Sequence, residues 1–435
     1  MRLFRLHNYT LTALANGLFM ASVVAIATLP SGSLAGIPIK YLLLMLVLGY
    51  FVLSANCLSV TLLTHLLGVG GFLLIYAIYG LADFRAYAIG ELVLALGAIV
   101  LGMLITHVVY RRGLGTLGIL NMYQLSVLAL GILKLIILLF YLASPGYEAF
   151  MEGFATTYQS ITGASFLTMP LPHGLIRIYM QNDLIAAMLP LAIAALRPRG
   201  AITPYDRILV LLALWIVVIG FSRYNMACFA VCLLAFLWVD KKGQLFKLML
   251  GLLALAFVVL FFKELWQFVE IRFFSVQNAS SDEIRVEQAS ALMEYFARAP
   301  IFGHGLGAYT EDMIRSPVAP FSYEQQILSL LPKFGMLGFA VFACYVSYLI
   351  LRLAFRRRYL VTLYLGLFLA SSLFNPYLFS SNMVVAYALI YYLYCYDRGY
   401  DCCHGYSHGA RGERCTASQP HVTEPTGPAK HTRLA

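Results

Sequence analysis

The chain has 435 residues, 61% of them hydrophobic and 11% charged, with a formal net charge of +10 at pH 7. Soluble domains carry roughly a quarter charged residues, so this balance excludes a soluble catalytic domain and calls for bilayer hydrocarbon to cover the apolar surface. The basic residues sit in short clusters between apolar runs, which follows membrane topology and not a nucleic-acid footprint.

A spanning helix needs about 20 mostly apolar residues. Such runs are predicted near 10–28, 37–55, 58–81, 88–110, 118–143 and 175–196, then near 203–221, 223–239, 244–262, 327–354, 359–374 and 380–396. Lipid leaves every backbone polar group to be satisfied within its own segment, which demands helices. The period-2 alternation of a membrane barrel is absent. The expected fold is all-α, a polytopic transmembrane bundle of about 12 spans. Arg2 and Arg5 precede a first run too long for a signal peptide, which predicts an uncleaved anchor.

Arg2 and Arg5, Arg111 and Arg112, Arg197, Arg199 and Arg207, Lys241 and Lys242, Arg356, Arg357 and Arg358, and Arg398 fall on every second connection. Basic residues favour the cytoplasmic side, so both termini are expected there. The bundle is expected to occupy 1–396. The tail 397–435 is polar, rich in Gly, Ser, Thr and Pro, and is expected to be disordered and cytoplasmic. The eight cysteines show no zinc spacing and read as structural thiols, so no metal is expected.

Two outward segments are longer than connectors need to be, 144–174 and 263–326, and long loops in compact bundles tend to be functional or disordered. The second is rich in apolar residues, which predicts a large, partly helical periplasmic loop. Ser280 followed by Glu283 reads as a capping box opening a helix over 283–298. Ile284, Leu292 and Phe296 would share its apolar face.

Several residues on the outward side could carry chemistry. Arg223, in Phe-Ser-Arg-Tyr-Asn, runs against the topological bias. Its guanidinium could grip a phosphate bidentately, or it could snorkel to lipid headgroups. Arg285 lies in the first turn of the loop helix, where amides favour anions, though Asp282, Glu283 and Glu287 could equally pair with it. Arg177 opens the sixth span and adds a third outward cation with the same two readings. Glu324, where the chain re-enters the membrane, would be partly desolvated and suited to general-base work; the alternative is a cap on the following helix. His304 in Gly-His-Gly-Leu-Gly is a second candidate base, with a turn residue as the default. No strand precedes that glycine run, so a dinucleotide loop is rejected. Inside the bilayer, Lys134 and Asp183 stand out as the buried charges and are predicted to pair.

Phe221-Ser222-Arg223-Tyr224, Arg285, the stretch 300–309, Ser322-Tyr323-Glu324-Gln325-Gln326, Lys333 to Gly338 and Asn375-Pro376-Tyr377 together resemble the O-antigen polymerase and ligase superfamily, over roughly 170–395. The resemblance implies a bacterial inner-membrane, metal-independent glycosyltransferase without cofactors, acting on the periplasmic face. Its implied partners are an undecaprenyl-pyrophosphate-linked glycan donor, a glycan acceptor, the lipid bilayer and a chain-length regulator protein, with no nucleic acid. Ligases of the superfamily carry a His-Asn pair before the tenth span; here Tyr323-Glu324 stands there, which tilts the expectation to a polymerase of repeat units. Glu324, Arg223 and Arg285 are then the expected catalytic residues, and Arg223, Arg285, Arg177, Tyr323 and His304 the substrate-binding ones. The alternative is a ligase that moves polysaccharide to lipid A–core or a protein acceptor. A flippase or transporter would predict midplane charges and internal repeats, and no clear repeat is present.

Overall fold

The computed structural model describes residues 2–29, 43, 46, 49, 60–111, 114–158, 167–170, 176–197, 201–249, 251–252, 276–314 and 319–395. Most of the runs expected near 37–55 and 244–262, and the tail expected at 397–435, lie outside the described residues.

The described chain is mostly helical. Helix α1 covers Arg2–Thr28, α2 Val60–Ala95, α3 Leu101–Arg111 and α4 Gly115–Ala143. A π-helical turn, Leu96–Val100, joins α2 to α3, and Phe84 leaves helical geometry inside α2. The two runs expected near 58–81 and 88–110 therefore form one kinked helical path. Next come α5 (Asp183–Leu196), α6 (Pro204–Gly220) and α7 (Arg223–Val239). They are followed by α8 (Val276–Arg298), α9 (Gln326–Phe355), α10 (Tyr359–Ser371) and α11 (Val384–Cys395). By length and composition Val60–Arg111, Gly115–Ala143 and Gln326–Phe355 can each cross a membrane, and five shorter apolar helices accompany them among the described residues.

Helices α5 and α11 are apolar on every side and buried almost throughout, which marks them as the centre of the bundle. Helix α5 packs on α4, α6 and α7, and α11 on α3. Lys134 and Asp183 pair in this core as the sequence predicts, Nζ to Oδ2 at 2.8 Å with both side chains fully buried. Lys134 also donates to the carbonyls of Ile178 and Ile216, so its ammonium is fully surrounded by acceptors.

Three expectations are corrected. Strands β1 (Leu167–Pro170) and β2 (Ile176–Tyr179) form an antiparallel hairpin, so the chain is not purely α. Arg177 lies in β2 and does not open the sixth span, which begins at Asp183; alternating Ile176 and Ile178 bury one edge of an extended segment that a hydropathy run cannot tell from helix. Helix α8 begins at Val276, so Ser280 lies inside it and no capping box opens at 283. Besides Lys134–Asp183 there is a second buried ion pair: Lys333 Nζ meets Glu91 Oε1 at 2.5 Å, both side chains nearly inaccessible. Buried Asp206, held by Gln124, Arg197 and Thr203, is a further internal charge.

Candidate functional site

Helix α9 is broken where the site is built. Pro332 precedes Gly335, whose φ of 63° and ψ of −177° interrupt the helix. Met336 and Leu337 would ordinarily donate to the carbonyls of Pro332 and Lys333, four residues back. They donate instead to Pro300 and Ile301, while Pro332 and Lys333 accept from His304 and Gly305. The segment 300–305 thus splices into the break, and these four freed groups regain partners. A Cβ on Gly335 would stand 2.3 Å from the Ile301 carbonyl oxygen, so close approach as well as positive φ requires glycine there.

The glycine-rich run is therefore a packing device. His304 stacks on Tyr295 with ring centroids 4.2 Å apart, and Nε2 lies 3.3 Å from the Tyr295 carbonyl oxygen. Gly307 donates its N–H to Glu91 Oε2 at 2.7 Å, and Lys333 donates to the carbonyl of Phe321 at 2.9 Å. The Glu91–Lys333 pair thereby clamps two motif segments to α2. A lone carboxylate in the run 88–110 and a lone lysine in 327–354 were the available sequence signals for it.

Arg223 is the first residue of α7. Phe221, at φ 46°, and Ser222 make a two-residue turn from α6, and Ser222 caps α7 without a side-chain hydrogen bond. That leaves the amide-rich helix start uncapped by side chain and suited to negative charge. Arg177 reaches the same turn: its Nε donates to the Gly220 carbonyl at 3.0 Å, and its guanidinium lies 5.2 Å over the Tyr179 ring. Burial pulls the Arg177 pKa below its ordinary value.

Arg285 and Glu324 meet directly, Nε to Oε2 at 3.1 Å, each about a quarter exposed. Gln288, one turn along α8, accepts from the Gln325 N–H at 3.1 Å and holds the start of α9 against α8. Tyr323 is turned away: its hydroxyl accepts from the Thr310 N–H at 2.8 Å, and burial pushes its pKa up to about 12. It still borders a cavity of about 140 Å³ with Gln181, Gln326, Lys333 and Ser380. His304 lies beside Tyr295, which is ten positions along α8 from Arg285, or ~15 Å along a helix.

The two arginine groups are joined by residues the sequence reading did not single out. Tyr179 and Tyr377 share a 2.7 Å hydroxyl contact, and Tyr179 lies within electrostatic reach of both Arg177 and Glu324. Asn225, buried two residues after Arg223, adjoins Tyr377. Gln326 accepts from the Leu378 N–H at 2.6 Å, and Ile327 donates to Ser372 at 3.2 Å. The segments 220–225, 322–327 and 375–378 thus converge. Among the described residues no group of His, Cys, Asp and Glu is placed to hold a metal ion.

These segments bear directly on the comparison with known families. Residues 208–343 match the family model described as O-Antigen ligase. The resemblance to the O-antigen ligase and polymerase superfamily is thereby borne out. The match spans Arg223, Arg285, His304, Tyr323, Glu324 and the broken part of α9. No match is found among the curated proteins. This match, over about a third of the chain, and the apolar helices support a membrane protein of polysaccharide biosynthesis.

Proposed function

We propose that this protein polymerises oligosaccharide repeat units carried on undecaprenyl pyrophosphate, at the periplasmic face of the bacterial inner membrane. The chain would cross the bilayer about 12 times with both termini cytoplasmic. The observation that carries this reading is the convergence of Arg177 and the Arg223 turn with the Arg285–Glu324 pair, joined through Tyr179 and Tyr377.

The chemistry follows from these groups. As the glycosidic bond to the lipid pyrophosphate breaks, negative charge develops on phosphate oxygens. Guanidinium groups fixed in a poorly solvated site stabilise that charge without a metal. Arg223, at an uncapped helix start, and Arg177, beside it, would hold the diphosphate. Arg285 would turn from Glu324 towards phosphate as donor binds. That movement frees the Glu324 carboxylate to take the proton from the acceptor hydroxyl. The new glycosidic bond then forms to the acceptor oxygen, and lipid pyrophosphate leaves.

The description of the matching family favours a second reading, a ligase acting on lipid A–core or a protein acceptor. Tyr323-Glu324, at the place where the superfamily's ligases carry His-Asn, supports the polymerase. Deleting the gene and resolving surface polysaccharide on a gel separates the two. Single repeats on the acceptor support the polymerase; full-length chains left unlinked establish the ligase and overturn it.

A further inference from the structure

A larger cavity lies between α2, α9, α10 and α11 and encloses about 570 Å³. Its wall follows the unkinked start of α2 from Val60 to Leu73, a length of ~20 Å at helical rise, about two-thirds of the ~30 Å hydrocarbon core of a bilayer.

Most of the wall is apolar, with Val69, Phe72, Phe342 and Leu369 among its members, while polar groups gather at the Arg352 end. Arg352 Nη1 donates to the hydroxyls of Tyr348 at 2.5 Å and Tyr394 at 2.6 Å, with its guanidinium 4.7 Å over the Tyr394 ring. His65 Nδ1 lies 3.0 Å from the Tyr345 hydroxyl, which meets that of Tyr391 at 2.8 Å. Among the described residues no Asp or Glu lines the cavity. Arg356, Arg357 and Arg358 follow Arg352 at the same end of α9, so the local charge is positive.

Gly68 borders the cavity in the first third of α2, and a Cβ built there would meet nothing within 4 Å, so the wall is open at that point.

We propose that this cavity is a lipid site, holding one acyl chain of an anionic glycerophospholipid with its phosphate at Arg352. The apolar slot takes the chain, and the guanidinium, steadied by two tyrosines, meets the charged head with fork geometry. The inference does not depend on the proposed sugar transfer.

The test titrates the full-length chain, purified in detergent, with phosphatidylglycerol, phosphatidylcholine and undecaprenyl phosphate in separate arms read by native mass spectrometry. Phosphatidylglycerol is expected to bind once per chain, about tenfold more tightly than phosphatidylcholine, in keeping with one charge-assisted contact. Arg352→Gln should erase that preference and Arg352→Lys should keep most of it. Gly68→Phe should fill the slot and abolish binding; if it does not fold, the Arg352 pair of variants decides. The proposal is overturned if the wild type shows no preference, if Arg352→Gln binds as the wild type does, or if undecaprenyl phosphate displaces phosphatidylglycerol at equal concentration.

Discussion

Arg285 and Glu324 neutralise one another in the resting protein, and the proposed mechanism requires that contact to open. A carboxylate acting as general base contributes ~10²–10⁴ in rate, so Glu324→Gln should slow polymer formation by that order while the protein still accumulates in the membrane. Arg285→Ala should be similarly impaired, and the double variant should fall little further, because residues that act as one unit are not additive. Strictly multiplicative losses, measured with purified lipid-linked donor, would separate the two residues into independent roles. Arg223→Ala removes a donor aimed at the developing charge, worth ~10²–10³ in rate; wild-type polymer at normal expression would take Arg223 out of the mechanism. Lys134 and Asp183 make the contrasting case of a structural pair. Removing either leaves a buried charge uncompensated at a cost of ~3–5 kcal/mol, whereas removing both does not. Thermal melts of Lys134→Ala, Asp183→Ala and the double variant should therefore show the double as less damaged than the sum of the singles.

At the scale of the element, the break in α9 connects two sequence motifs that look unrelated. Lys333 to Gly338 supplies the interrupted helix, and the stretch 300–309 supplies the turn-rich insert. Gly335→Ala would force a Cβ against the Ile301 carbonyl at a left-handed φ, a strain of ~1–3 kcal/mol. The expected result is a lowered melting temperature together with lost activity, since the break anchors the helix that begins just after Glu324. Full stability in Gly335→Ala would show that the break can close. The helices were legible because apolar runs of spanning length leave no other secondary structure open to them. The hairpin was not, because Ile176 to Tyr179 continues an apolar run and only its pairing with Leu167 to Pro170 declares it a strand. Arg223, Arg285 and Glu324 were legible as charges at the ends of apolar segments. Tyr179, Tyr377 and Asn225 were not, because an aromatic or amide in an apolar chain gives no sign of facing a site until partners from distant segments meet it.

For the whole molecule, the position of the arginine site relative to the basic clusters decides which compartment the chemistry uses. Arg177, the Arg223 turn and Glu324 lie at one set of helix ends, while Arg207, paired with Asp240 at 2.8 Å, and Arg356 to Arg358 lie at the opposite ends of their helices. Positive residues concentrate on the cytoplasmic side of membrane proteins, so the site should open to the periplasm, where a charged impermeant reagent can reach it. Glu311, exposed in the insert region, and Arg358, at the far end of α9, report the two sides. In a background with the native cysteines replaced, Glu311→Cys in intact cells should react with an impermeant maleimide. Arg358→Cys should react only after the membrane is opened. Reversed labelling would put the arginines in the cytosol, away from any lipid-linked chain assembled outside. Sugar transfer at the proposed site would then lack its substrate, whatever the geometry of Arg285 and Glu324.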